Sequence, residues 1–214
     1  MERHGDAGAA LAIGLSMELP WSTEPSYDLF SSTDVGMRLG MWATYDLLSI
    51  GESTVLSAGG GFDVEQVESN GLFSGALDST LTATVLYGTA VARYKAVDWL
   101  QPHVRLSAGA QLVRSNLAFA SADYRNAGDL PFGSLGAGFT LRSPSRMFET
   151  RRGEMAPLSV GVMVEGGYTL AAPLEMKVDG SGPDDRDIAL IESDIHDLDR
   201  SGPFMRMSLV VRFL

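Results

Sequence analysis

Cysteine is absent from the 214 residues, which excludes a disulfide scaffold, a redox-active dithiol and a thiolate-bound zinc. Positive charge is scarce: 16 Lys and Arg against 27 Asp and Glu leave a net charge of −11, so the chain has no surplus to neutralise a phosphate backbone and nucleic acid is not an expected partner. No run approaches the roughly 18 apolar residues of a membrane helix, because Ala9 to Leu15 is interrupted by Gly14 and followed by Ser16 and Glu18. A secretory signal is also missing from the first residues, Met1 to Asp6, which are too polar for one. If the protein is exported, its signal is expected to have been removed from this chain. No phosphate-binding glycine loop or HExxH element occurs, and no metal, nucleotide or redox cofactor is implied.

What the chain does have is alternation. Leu11, Ile13, Leu15, Met17, Leu19 and Trp21 share one parity, and Ala10, Ala12, Gly14, Ser16 and Glu18 the other, as in a strand with one apolar face. The pattern recurs seven times and predicts strands over about 8–21, 35–45, 54–64, 77–93, 100–114, 132–142, 158–170 and 204–214 in a single domain, 1–214. In the second, Trp42 falls on the otherwise polar parity. In the fourth, Leu77, Leu81, Ala83, Val85, Tyr87 and Val91 form the expected outer face, opposite Asp78, Thr80, Thr82, Thr84 and Gly88.

The second face identifies the kind of barrel. A soluble, lipocalin-like ligand-binding barrel turns its apolar face inward and shows water a face rich in Lys and Glu. Here the second face is Gly, Ser and Thr with isolated charges, which suits a crowded interior, while the Leu, Val and Met face suits lipid. The fold class expected is therefore all-β: an eight-stranded antiparallel up-and-down transmembrane barrel, the soluble barrel being the alternative. With both termini in the periplasm, the outer connections are 22–34, 65–76, 115–130 and 171–203 and the inner ones 46–53, 94–99 and 142–157. Aromatics on the lipid parity would form two interfacial girdles, Trp21, Phe62 and Tyr168 outside and Tyr45 and Phe213 inside.

These eight segments, together with the ending Met205-Arg206-Met207-Ser208-Leu209-Val210-Val211-Arg212-Phe213-Leu214, resemble the small eight-stranded outer-membrane barrels, the OmpA transmembrane domain and OmpX-like proteins. The resemblance spans nearly the whole chain. It implies a Gram-negative cell outer membrane, contact with its lipids and lipopolysaccharide, and insertion by the barrel-assembly machinery with Phe213 and Leu214 as the assembly signal. That family usually ends on the aromatic itself, whereas here Leu214 follows Phe213. No wall-binding domain follows the eighth segment within this chain.

Chemistry-bearing residues are few. On the interior parity stand Glu18, Arg38 and Arg206 at the outer ends of neighbouring strands, and Arg105, Arg142 and Glu165 on strands five to seven, a candidate lumen network. Such a network either plugs the barrel or rearranges as a narrow gated pore for ions or small solutes. Some eight-stranded barrels modify lipids with a His, a Ser and a carboxylate. His196, between Asp194 and Asp197 and near Ser193 and Ser201, is the candidate for that role. His4 lies in the tail and His103 at the inner start of strand five, where a structural hydrogen-bonding role is expected. The last outer connection holds nine acids and three bases, a local net of −6, expected to face water because its spacing matches no EF-hand loop. The turn 142–157, with Arg146, Arg151, Arg152, Met147 and Phe148, is a candidate surface for an envelope partner. The reading favoured is non-enzymatic: a structural, adhesion or envelope-interaction barrel acting through its outer loops.

Overall fold

A computed structural model of the chain describes residues 10–22, 27, 30, 35–71, 77–119, 122–143, 158–175 and 197–213. Eight strands run in order around a closed barrel: β1 (Leu11–Pro20), β2 (Arg38–Ile50), β3 (Thr54–Gly71), β4 (Leu77–Tyr94), β5 (Leu100–Phe119), β6 (Ala122–Arg142), β7 (Leu158–Ala171) and β8 (Gly202–Phe213). Every neighbour is antiparallel, and β1 closes on β8 from Leu11 opposite Phe213 to Pro20 opposite Phe204. Closure leaves no free sheet edge around the body of the barrel. A bulge between Asp46 and Leu48 shifts the β2 register as it approaches its turn, where Gly51 takes φ 64°, a conformation that costs a residue without Cβ little.

The apolar parity faces outward, as expected. Leu15, Leu39, Val64, Leu106, Leu135, Leu170 and Leu209 are all exposed, and between them the barrel wears a continuous apolar surface. On β3 that surface runs from Leu56 to Val64 and on β8 from Met205 to Phe213. These are spans of the length that tilted strands need to cross a hydrocarbon core, about 9–11 residues.

Two corrections to the expected layout follow. Strands β3 to β6 have 18–21 residues and continue through much of the connections expected at 65–76 and 115–130. The other four have 10–14. Half the circumference therefore rises as a wall beyond the apolar band. On its outer face Gln66, Glu68, Thr80, Arg114 and Asn116 replace Leu and Val. Beyond Glu65 and before Phe132, β3 and β6 form the two edges of this wall, each paired on one side only, while β4 and β5 are paired on both.

The second correction is the face of β4. Leu81, Ala83, Val85, Tyr87 and Val91 point inward and are buried, while Thr80, Thr82, Thr84, Leu86, Gly88, Ala90 and Ala92 point outward. Two causes act together. Arg93 shares the parity of Val91 and must reach Asp46 inside rather than lie on the apolar surface. The interior also has apolar layers of its own for that face to complete. One cluster at the loop end joins Leu81 and Ala83 to Val113, Leu117 and Leu130 of the wall and to Tyr27, Phe30, Leu174 and Leu198 of the connections. A second, lower in the lumen, joins Val85 and Tyr87 to Ala12, Trp42, Met163 and Val210. The outward threonines stand mostly on the raised wall, where water can solvate them.

Candidate functional site

The interior small residues make room for large ones opposite them. A Cβ built on Gly14 would lie 2.2 Å from Cε2 of Trp42, and one on Gly136 would lie 2.6 Å from Oε1 of Glu165. Trp42 therefore lies flat across β1, and Glu165 reaches toward β5 over β6. The lumen is filled by side chains rather than open, as an eight-stranded circumference requires.

Those side chains form three charged layers. At the loop end Arg38 donates to Glu65 through Nε (2.7 Å) and to Glu18 through Nη1 (2.9 Å). Arg206 pairs with Glu18 and, at 3.3 Å, with Asp63, which also accepts from Ser16. Arg200, just before β8, pairs with Glu65, and the Tyr27 hydroxyl donates to the same carboxylate at 3.3 Å. Burial, then the Glu65 charge beside it, pushes the Tyr27 phenol well above its ordinary pKa. Two connections are thus tied to the barrel wall through one buried acid.

In the middle layer Glu165 accepts from Arg105 Nε at 3.0 Å and meets His103 Nε2 at 3.1 Å. The Arg105 guanidinium stacks over the Trp42 ring, 4.7 Å from its centroid. At the end that holds the termini, Asp46 pairs with both Arg93 and Arg212, Ser57 donates to it at 2.7 Å, and Arg142 donates to Ser159 at 2.8 Å.

The grouping expected from sequence is met in part. Glu18, Arg38 and Arg206 come together, as do Arg105 and Glu165. Arg142 does not join that second pair, because it lies at the terminal end of β6 and its bond is to Ser159. The layers also include Asp46, Asp63, Glu65, Arg93, Arg200 and Arg212, none of them among the expected network. Asp63 and Arg212 carried a legible signal, a charge on the inward parity. Asp46, Glu65 and Arg200 fell in segments expected to be connections, and Arg93 was hidden by the inverted face of β4.

The expected girdle residues face outward: Tyr45, Phe62, Tyr168 and Phe213 are about half exposed and Trp21 partly so. Tyr94 and Trp99 join them at the terminal end. His103 is buried in the middle layer, far from any outward surface. His4, His196, Leu214, the basic turn 144–157 and most of the acidic connection lie outside the described residues.

The fold and its interior define a class: a closed antiparallel barrel turned inside out, apolar on the outside and charged within. No family model matches the sequence, and no curated protein does. Among solved structures the chain is similar to Neisserial surface protein A, at 9% identity and a TM-score of 0.44, covering 96% of this chain and 95% of that one. It is also similar to Ail, the attachment invasion locus protein of Yersinia pestis, at 10% identity and a TM-score of 0.40, covering 96% and 97%. The functional reading rests on the residues of this chain.

Proposed function

We propose that the chain is an integral outer-membrane barrel with a plugged lumen, acting through the surface it raises beyond the lipid. The observation that carries this reading is the pairing of a continuous apolar exterior with a raised polar wall on β3 to β6. An apolar exterior of this extent is unfavourable in water and favourable in hydrocarbon, where only helices or closed barrels satisfy the backbone. The wall adds nothing to spanning. Its polar outer face, with Tyr27, Phe30, Leu174, Leu198 and Arg200 packed against its inner side, offers a platform for an adhesion or envelope-interaction role. On this reading the outer-membrane lipids and lipopolysaccharide cover the apolar band, and the barrel-assembly machinery inserts it.

A conducting pore is disfavoured by the two apolar layers and three ion-paired layers stacked across the lumen. No catalytic role is assigned. A soluble ligand-binding barrel would need the opposite arrangement of faces.

Reconstitution in lipid vesicles tests the lipid-facing surface. Leu209→Lys, at the middle of the β8 band, is expected to destabilise the reconstituted barrel by about 2–4 kcal/mol, and Thr80→Lys on the wall by less than about 1. Equal effects at both positions would refute the membrane reading. For the platform, cells displaying the chain should adhere to one another or to immobilised glycoprotein more than cells without it. The gain should be lost when Arg114 and Arg125 on the wall are reversed to Glu. Adherence identical in all three strains would overturn the interaction role.

A further inference from the structure

The charged layer at the terminal end is not balanced. Arg93 and Arg212 share the single carboxylate of Asp46, and Arg142, bonded to Ser159, adds a third guanidinium to the same end of the lumen. Among the described residues of this buried layer, three cations against one anion leave an excess of two positive charges. Beyond that layer, Lys95 and Asp98 pair on the exposed β4 to β5 turn, where the solvated Asp98 carboxylate also acts on Arg142 from outside the lumen. On the inner side, Arg105 and His103 face Glu165, so the middle layer supplies no spare negative charge.

This excess surrounds space. A small cavity of about 30 Å³ is lined by Arg93, Arg105, Arg142, Arg212 and His103, with Thr44 and Ser159 between them. Several lining donors have no partner among the described residues although they are buried: Nε of Arg93, Nε of Arg212, Nη1 of Arg105 and Oγ1 of Thr44. The side chains of Arg105 and His103 are almost wholly inaccessible, at 2% and 1% exposure. Buried donors left without acceptors are costly, and guanidinium groups match planar or tetrahedral oxyanions through paired N–H donors. Water can satisfy some of these donors but cannot offset the charge.

We infer that this cavity is a binding site for a small tetrahedral oxyanion, phosphate or the phosphomonoester end of a larger molecule, held by Arg93, Arg142 and Arg212. The anion enters from the terminal end, where Arg142 and Arg212 are the most accessible of the lining cations. It accepts from the three guanidiniums and completes the charge balance that Asp46 leaves unfinished. Arg105 and Thr44 close the inner side. The site depends on the lumen alone and stands whether or not the raised wall binds a partner.

Titration calorimetry of the full chain folded in an uncharged maltoside detergent, at low salt, tests this with two probes, inorganic phosphate and glycerol 3-phosphate. Saturable binding of inorganic phosphate is expected, and Arg142→Gln should weaken it by about tenfold to a hundredfold, as loss of one charge-assisted hydrogen bond predicts. Arg142 makes one side-chain bond, to a serine, so this variant should fold, and a heat-dependent shift in gel mobility checks that it does. Arg114→Gln, on the outer face of the wall, should leave binding unchanged. Binding of both probes points to a monoester-bearing ligand as the source, and binding of phosphate alone to the free ion. No binding of either probe, or binding equally weakened by Arg114→Gln and Arg142→Gln, would overturn the site.

Discussion

Glu65 is the acid on which the loop end of the barrel depends, and Glu65→Ala is the substitution whose consequences can be worked out furthest. Its carboxylate is fully buried and receives Arg38, Arg200 and the Tyr27 hydroxyl. Arg38 keeps Glu18 as a second partner, but Arg200 has no other ion pair among the described residues, and two of its nitrogens already lack acceptors. The variant therefore leaves one buried guanidinium uncompensated, at a cost of about 3–5 kcal/mol. With a urea slope on the order of 2 kcal/mol per molar, the unfolding midpoint of the folded barrel in detergent should fall by roughly 2 M. Glu68→Ala, three residues along on the exposed face, should change stability by no more than about 0.5 kcal/mol. The test of mechanism is the double variant Glu65→Ala with Arg200→Met. Removing the orphaned cation should recover much of the loss, so the double variant should be more stable than Glu65→Ala alone. Strict additivity of the two substitutions would refute the assignment of Arg200 to Glu65.

Two further substitutions probe the interior. Gly14→Ala should cost about 1–3 kcal/mol, because the new methyl must displace Trp42 from its place beneath Arg105, and Trp42→Leu should relieve it; urea unfolding by circular dichroism measures both. Leu81→Ala should cost about 2–5 kcal/mol and Thr80→Ala less than about 0.5, whereas the reverse order would show that β4 presents Leu81 outward after all.

The inverted face of β4 shows how a two-residue period can mislead. Counting apolar residues put Leu81, Val85 and Tyr87 outside. Arg93 was the better witness, because a charge on that parity is expensive in lipid and cheap beside a buried carboxylate. The reading failed because it assumed that the interior is uniformly polar. Here one apolar cluster caps the charged layers at the loop end and a second lies among them, so an apolar strand face is equally at home inside.

By itself the sequence determined the period, the number of strands and the general sense of the barrel. Side chains alternate across a strand, and only the polar parity carries Glu18, Arg38, Glu165 and Arg206 between glycines. It also determined that the interior is crowded, since Gly14 and Gly136 imply neighbours large enough to need the room. Tertiary structure alone decided how far the strands rise and which charges meet. Register sets both. Pairing of β5 with β6 continues to Phe119 opposite Ala122, converting an expected connection into wall, and closure of the ring brings Asp46 of β2 against Arg93 of β4 and Arg212 of β8. Those three residues lie on strands that are not all neighbours. Their meeting depends on the narrow circumference of eight strands, a property that no local pattern in the chain records.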